Sequence, residues 1–152
     1  MLLVYVGRPA FLVSVRISTF PAALSHPDCC SSTSSREDRA GGSLQVNTSG
    51  EESKHGVAPE DTVTLAQHIA TACKNLKLAG LMTIGQPDYS SRPENFTCLT
   101  ACRAQVAEAL SVSEDSMHLS MGMSGDFEQA VGMGSTVIRV GSTIFGARDY
   151  SK

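Results

Sequence analysis

Three things are missing from this 152-residue chain, and each absence removes a class of function. Positive charge is nowhere concentrated: 12 basic residues are scattered among 15 acidic ones, for a formal charge of -3. No basic stripe exists that could follow a nucleic-acid backbone, so nucleic acid is not an expected partner. A run of about 18 apolar residues, the length a spanning helix needs, is also lacking, because Arg8, Pro9 and Arg16 interrupt the apolar N-terminal stretch. No membrane span is expected. The five cysteines (Cys29, Cys30, Cys73, Cys98 and Cys102) are odd in number and lack the spacing of a secreted disulfide framework, which points to a reducing, cytoplasmic compartment. With no histidine near Cys98 and Cys102 to complete a zinc site, these thiols read as core or surface residues.

What is present suffices for one modest domain, and its character changes near residue 43. Residues 2–20 are apolar and β-branched, with a turn signal at Gly7, Arg8 and Pro9, so two short strands can form there. The same segment is poor in acids and carries arginine and serine, the composition of a mitochondrial or plastid transit peptide, although it lacks a sustained amphipathic pattern. From Ser25 to Ser43 the chain is rich in Ser, Asp, Arg and Gly and reads as a linker. The domain is therefore placed at residues 44–152.

Strands and helices then alternate. Strands are expected at 44–48, 76–84, 117–121 and 136–140, and helices at 59–73, 93–110 and 125–133. Four βα units in a row imply parallel strands joined by right-handed crossovers, in either a doubly wound sheet or part of a (β/α)8 barrel.

The chemistry concentrates in two strings, LSMGMSGDFEQA at 119–130 and STVIRVGSTIFGARDY at 135–150. In each, a strand runs into small residues and then a helical turn, which aims backbone N–H groups beyond the strand end. Such a turn suits a phosphate dianion, with hydroxyls at Ser124 and Ser142 as further donors. Gly122, Gly125 and Gly141 let the backbone come close. Read blandly, Ser124 is an N-cap and Gly141 a turn. Arg139 lies inside an apolar strand and needs a partner, either a cofactor anion or ring nitrogen, or a carboxylate such as Asp126. Met82, Met121 and Met123 sit near strand ends, where they serve as core filler or as a surface for an aromatic ring. His55, His68 and His118 form no motif and read as surface or capping residues.

The strings QVNTSGEESKHGV (45–57), LAGLMTIG (78–85), LSMGMSGDFEQA (119–130) and IRVGSTIFGARDYSK (138–152) resemble successive signature segments of the pyridoxal-phosphate homeostasis family, also called proline synthetase co-transcribed proteins. The resemblance covers residues 44–152. It implies an α/β fold, part of a (β/α)8 TIM-type barrel like the alanine racemase N-terminal domain, with pyridoxal 5'-phosphate (PLP) at the C-terminal ends of the strands. It further implies that Ser124, Gly141 and Ser142 hold the phosphate, that Arg139 contacts the cofactor, that Met82 lies near its ring, and that Asn47 and Ser120 are neighbours. The implied role is to buffer and deliver the cofactor without turnover.

The chain also departs from the family pattern. The βα units that carry the Schiff-base lysine, and the Phe-Gly-Glu-Asn and His-Phe-Ile-Gly-His type motifs, have no counterpart here. The lysines are Lys54, Lys74, Lys77 and Lys152, and of these only Lys54 follows a strand on the side where a barrel site sits. The chain thus reads as a truncated form lacking the anchoring lysine. The alternatives are a racemase-like or decarboxylase-like enzyme fragment and a non-catalytic fragment that pairs with a full-length paralogue. Part of a barrel leaves strand edges open, so self-association or loose folding is expected over a clean monomer, although the N-terminus could cover one edge.

Overall fold

The computed structural model describes residues 2–5, 40–50, 55–84 and 93–146. Five strands form a single sheet: β1 (Leu2–Tyr5), β2 (Ala40–Gln45), β3 (Leu76–Met82), β4 (His118–Met123) and β5 (Val137–Val140). Their spatial order is β1-β5-β4-β3-β2, so β2 to β5 lie side by side in chain order. These four pair in parallel, whereas β1 runs antiparallel to β5, with Leu2 opposite Val140 and Tyr5 opposite Val137. The first of the two β-prone runs of the N-terminus thus occupies one sheet edge. The second run and the paired Cys29 and Cys30 lie outside the described residues.

Three helices link the parallel strands: α1 (Thr62–Ala72), α2 (Pro93–Leu110) and α3 (Phe127–Gly132), followed by a single turn, α4 (Ser142–Phe145). The α2 span is the expected one. Pro93 occupies its first position, where the missing N–H costs no hydrogen bond. At its end Ser111 takes a left-handed φ of 54°, and the Val112 amide donates back to the Ala107 carbonyl. The helix expected at 59–73 instead opens with a 3-10 turn, Pro59–Asp61, before α1 begins.

The first parallel strand departs from expectation. It spans Ala40–Gln45 rather than 44–48 and so reaches into the stretch read as a linker. Ala40, Gly41 and Gly42 have little strand propensity, yet pairing with Leu76, Lys77 and Leu78 satisfies their backbone groups. Ser43 pairs with Gly80, a register shift that bulges β3 around Ala79. β4 likewise runs two residues beyond its expected end, to Met123.

One apolar layer holds the helices to the sheet. Leu44, Val46, Leu81, Leu119 and Met121 from the strands meet Leu65, Ala66 and Ile69 of α1, Phe96, Leu99, Cys102, Val106 and Ala107 of α2, and Ala130 of α3. Because side chains alternate along a strand, Leu44 with Val46 and Leu119 with Met121 define one face, and all three helices lie on it. A doubly wound sheet would carry helices on both faces, so the arrangement is that of a barrel wall. Gly80 makes the wall close, since a Cβ there would stand 2.1 Å from the His118 carbonyl oxygen. No helix among the described residues is long and apolar enough to cross a membrane.

Candidate functional site

The sheet register assigns the site residues to the face away from the helices. Gln45 pairs with Met82, Met82 with Ser120 and Ser120 with Val137, while the adjacent row, Leu44, Leu81 and Leu119, faces the core. Arg139, two residues past Val137, projects from the same face as Ser120. Its Nη1 donates to the Ser120 hydroxyl at 2.7 Å and to the Ser120 carbonyl at 3.1 Å, and its Nη2 donates to the Thr83 carbonyl. The guanidinium therefore ties β5 to β4 and to the end of β3. Only 6% of Arg139 is exposed. Burial pushes its pKa down to about 10, against an opposing pull from the charge of Asp126.

Of the two kinds of partner open to Arg139, the carboxylate acts on it by charge without a hydrogen bond. No hydrogen bond joins it to Asp126, whose Oδ1 accepts the Met123 amide at 2.5 Å while the Asp126 amide donates back to the Met123 carbonyl at 3.1 Å. The carbonyl of Thr83, just past the end of β3, and that of Ser120, which also accepts the Thr83 amide, take that place.

The turns after β4 and β5 come together as the sequence implied. The Ser124 hydroxyl oxygen accepts the Gly141 amide at 3.0 Å and the Thr143 amide at 3.4 Å. Thr143 returns a contact of 3.5 Å from its hydroxyl to the Ser124 carbonyl. Ser124 thus does not cap α3; it bridges to the entry of α4, and with both amides directed at its oxygen it keeps a proton to donate outward. Ser142 is exposed beside it at the first position of α4. Gly141 has a φ of -130°, which any residue adopts, and a Cβ there would meet no atom within 4 Å. Its own fold does not require a glycine at that point. Gly122 is different, because its φ of +94° and the 2.6 Å approach of the Ala130 Cβ fix it as the contact that seats α3 on β4.

Asn47 lies past the end of β2 at the same rim. Its amide donates to the Val57 carbonyl and its Oδ1 accepts the Ser49 hydroxyl. Beside it the Thr48 and Thr83 hydroxyls meet at 2.8 Å. Thr83, Thr48 and Thr143 escaped the sequence reading; the signal was their position just beyond strand ends, which only the register fixes. Met82 closes β3 on this face, whereas Met121 belongs to the core. His118 opens β4 at the far end of the wall. Lys77 likewise belongs to the start of β3, and Lys54 and Lys152 lie outside the described residues. A small apolar recess lined by Ser43, Leu44, Ile69, Leu76 and Leu78 includes none of the candidate residues.

A parallel wall with helices on one face and a polar rim at the strands' C-terminal ends is the layout of a barrel-type cofactor site. The family described as alanine racemase, N-terminal domain, matches residues 27–149, and the chain belongs to it. Within that family it is similar to the human pyridoxal phosphate homeostasis protein, with 51% identity over 112 residues, 72% of this chain and 41% of the human protein. Among solved structures, an unknown protein from Bifidobacterium adolescentis is 41% identical with a TM-score of 0.62, covering 72% of this chain and 44% of that one. PipY of Synechococcus elongatus, solved without PLP, is 27% identical with a TM-score of 0.59, covering 71% and 50%. The chain spans less than half the length of the human relative it matches.

Proposed function

We propose that the chain binds pyridoxal 5'-phosphate reversibly and without a covalent anchor among its described residues, in the service of vitamin B6 homeostasis rather than catalysis. The observation that carries this reading is the meeting of Ser124 with the Gly141 and Thr143 amides at the ends of β4 and β5. The open space at Gly141, which a Cβ would fill, fits a group brought close to the backbone. Similarity to proteins named for pyridoxal phosphate homeostasis supports the choice of ligand.

In this reading Ser124 and Ser142 hold the phosphate through their hydroxyls, the Gly141 and Thr143 amides orient the Ser124 hydroxyl by donating to its oxygen, and Gly141 leaves the phosphate room to approach. Arg139 orders the rim by fixing Ser120 and Thr83, and its positive charge favours an anionic ligand. Met82 and Ser120 line the wall below, with Asn47 at its β2 end. Bound there, the cofactor would supply a reactive aldehyde that the protein shelters and releases. We assign this activity to the cytoplasm, in keeping with cysteine usage.

Titration calorimetry with pyridoxal 5'-phosphate, and with pyridoxal as the form lacking phosphate, tests the reading. Preference for the phosphorylated form is expected, and borohydride reduction should leave no lysine carrying the cofactor. Gly141→Ala should leave the thermal midpoint unchanged and weaken binding. Equal affinity for the two forms removes the phosphate cradle, and stoichiometric trapping at Lys54 restores an enzyme-like site.

A second reading is association with another chain at the β2 edge, favoured because β2 ends the strand order and has only β3 beside it among the described residues. Light scattering after size exclusion distinguishes a monomer from such an assembly.

A further inference from the structure

Among the described residues, Asp126 is a rim carboxylate that the proposed binding role leaves without a task. The residue is 8% exposed, and its Oδ2 has no hydrogen-bond partner among the described residues. Its other oxygen accepts the Met123 amide and so shapes the turn that presents Ser124. Only Gly125 separates Ser124 from Asp126, so their Cα atoms lie less than about 7.6 Å apart whatever the turn's shape. A shape-keeping role requires one oxygen acceptor and no charge. The buried second oxygen and its negative charge are unexplained by the turn.

We infer that Asp126 is a built-in counter-charge that lowers the affinity of the Ser124–Gly141 cradle for phosphate. The inference rests on the binding role proposed above and adds that binding is weakened by design of the site. A carboxylate buried within several ångströms of a phosphate dianion repels it through a medium that screens poorly, and no described donor masks Oδ2. Arg139 supplies the opposite charge on the same rim, so the pair is nearly neutral, and a dianion gains less from Arg139 than it would alone. Neither charge dominates. A site of this kind holds a phosphorylated ligand while permitting fast release, which suits delivery. Glu128, two residues on, carries the same charge but is exposed, where water screens it.

The test is Asp126→Asn, which keeps an oxygen for the Met123 amide and removes the charge, set against Glu128→Gln as the exposed control. Calorimetry with pyridoxal 5'-phosphate and with inorganic phosphate is expected to show affinity raised at least about fivefold in Asp126→Asn, the effect of removing one unit charge about 4 Å from another even under the full screening of bulk water. Glu128→Gln should match the parent chain, and pyridoxal, which lacks the phosphate, should bind all three alike. If Asp126→Asn does not fold by circular dichroism, Asp126→Ser carries the same expectation. Unchanged or weaker phosphate binding in a folded neutral variant overturns the inference alone. A parent chain that binds neither phosphorylated probe overturns the proposed function, and the inference with it.

Discussion

The helix-facing side of the sheet and the rim at its strand ends are built from the same four parallel strands, yet opposite forces hold them. On the first, Leu44, Leu81 and Leu119 form a continuous apolar row against α1 and α2, and stability comes from area removed from water. On the second, the side chain of Arg139 is hydrogen-bonded to Thr83 and Ser120, and that of Ser124 to the Gly141 amide. The apolar layer holds no charged side chain and depends on filled volume. The rim depends on polar and charged partners. Substitutions should therefore separate into those that unfold the chain and those that alter binding.

The sharpest division is expected from Phe96, which is 1% exposed in the first turn of α2. Phe96→Ala should cost about 3 to 5 kcal/mol in urea unfolding, through lost transfer energy and a cavity. A cost below 1 kcal/mol would mean the apolar layer is not tightly packed. Arg139→Ala should weaken binding of phosphorylated ligand by about 1 to 3 kcal/mol, by calorimetry, with Lys74→Ala as an exposed control. Unaltered affinity in a folded Arg139→Ala chain would reduce the arginine to a strand clamp.

A third expectation uses Cys102, whose thiol is pushed from 9.0 up to about 11, by burial first and by the neighbouring Cys98 second. Its folded pKa is raised, so its stabilising contribution is complete below pH 9 and is lost as pH climbs through 11. The loss should approach about 2 kcal/mol, seen as an alkaline fall in the thermal midpoint that Cys102→Ala flattens. An identical fall in the variant would place the alkaline sensitivity elsewhere. Smallest is the effect at Ser111, a non-glycine residue at φ 54°. Ser111→Gly should stabilise by about 0.5 to 1 kcal/mol in the same unfolding assay without touching binding; any destabilisation would show that the serine side chain has a compensating partner.

Much of this was legible from residue order alone. The span of α2 followed from the recurrence of Phe96, Leu99, Val106 and Leu110, and the convergence of Ser124 with Gly141 followed from two strand-to-turn strings in one sheet. The strand at Ala40–Gln45 did not follow, because Gly41, Gly42 and Ser43 carry no β signal and only the waiting edge of β3 makes them a strand. Nor did the partners of Arg139: a cofactor and a carboxylate were both open to it, whereas its hydrogen bonds run to the Thr83 and Ser120 carbonyls and the Ser120 hydroxyl.

By itself the sequence determined the alternation of strand and helix, the family and the chemical types at the rim, since these depend on local periodicity and on the residues themselves. Only the tertiary structure decided that the helices share one face, that Leu2–Tyr5 pairs with β5, and that Thr83 and Ser120 hold Arg139. Each of those depends on register between strands distant in the chain. A shift of one residue turns every side chain to the opposite face, and no local pattern records it.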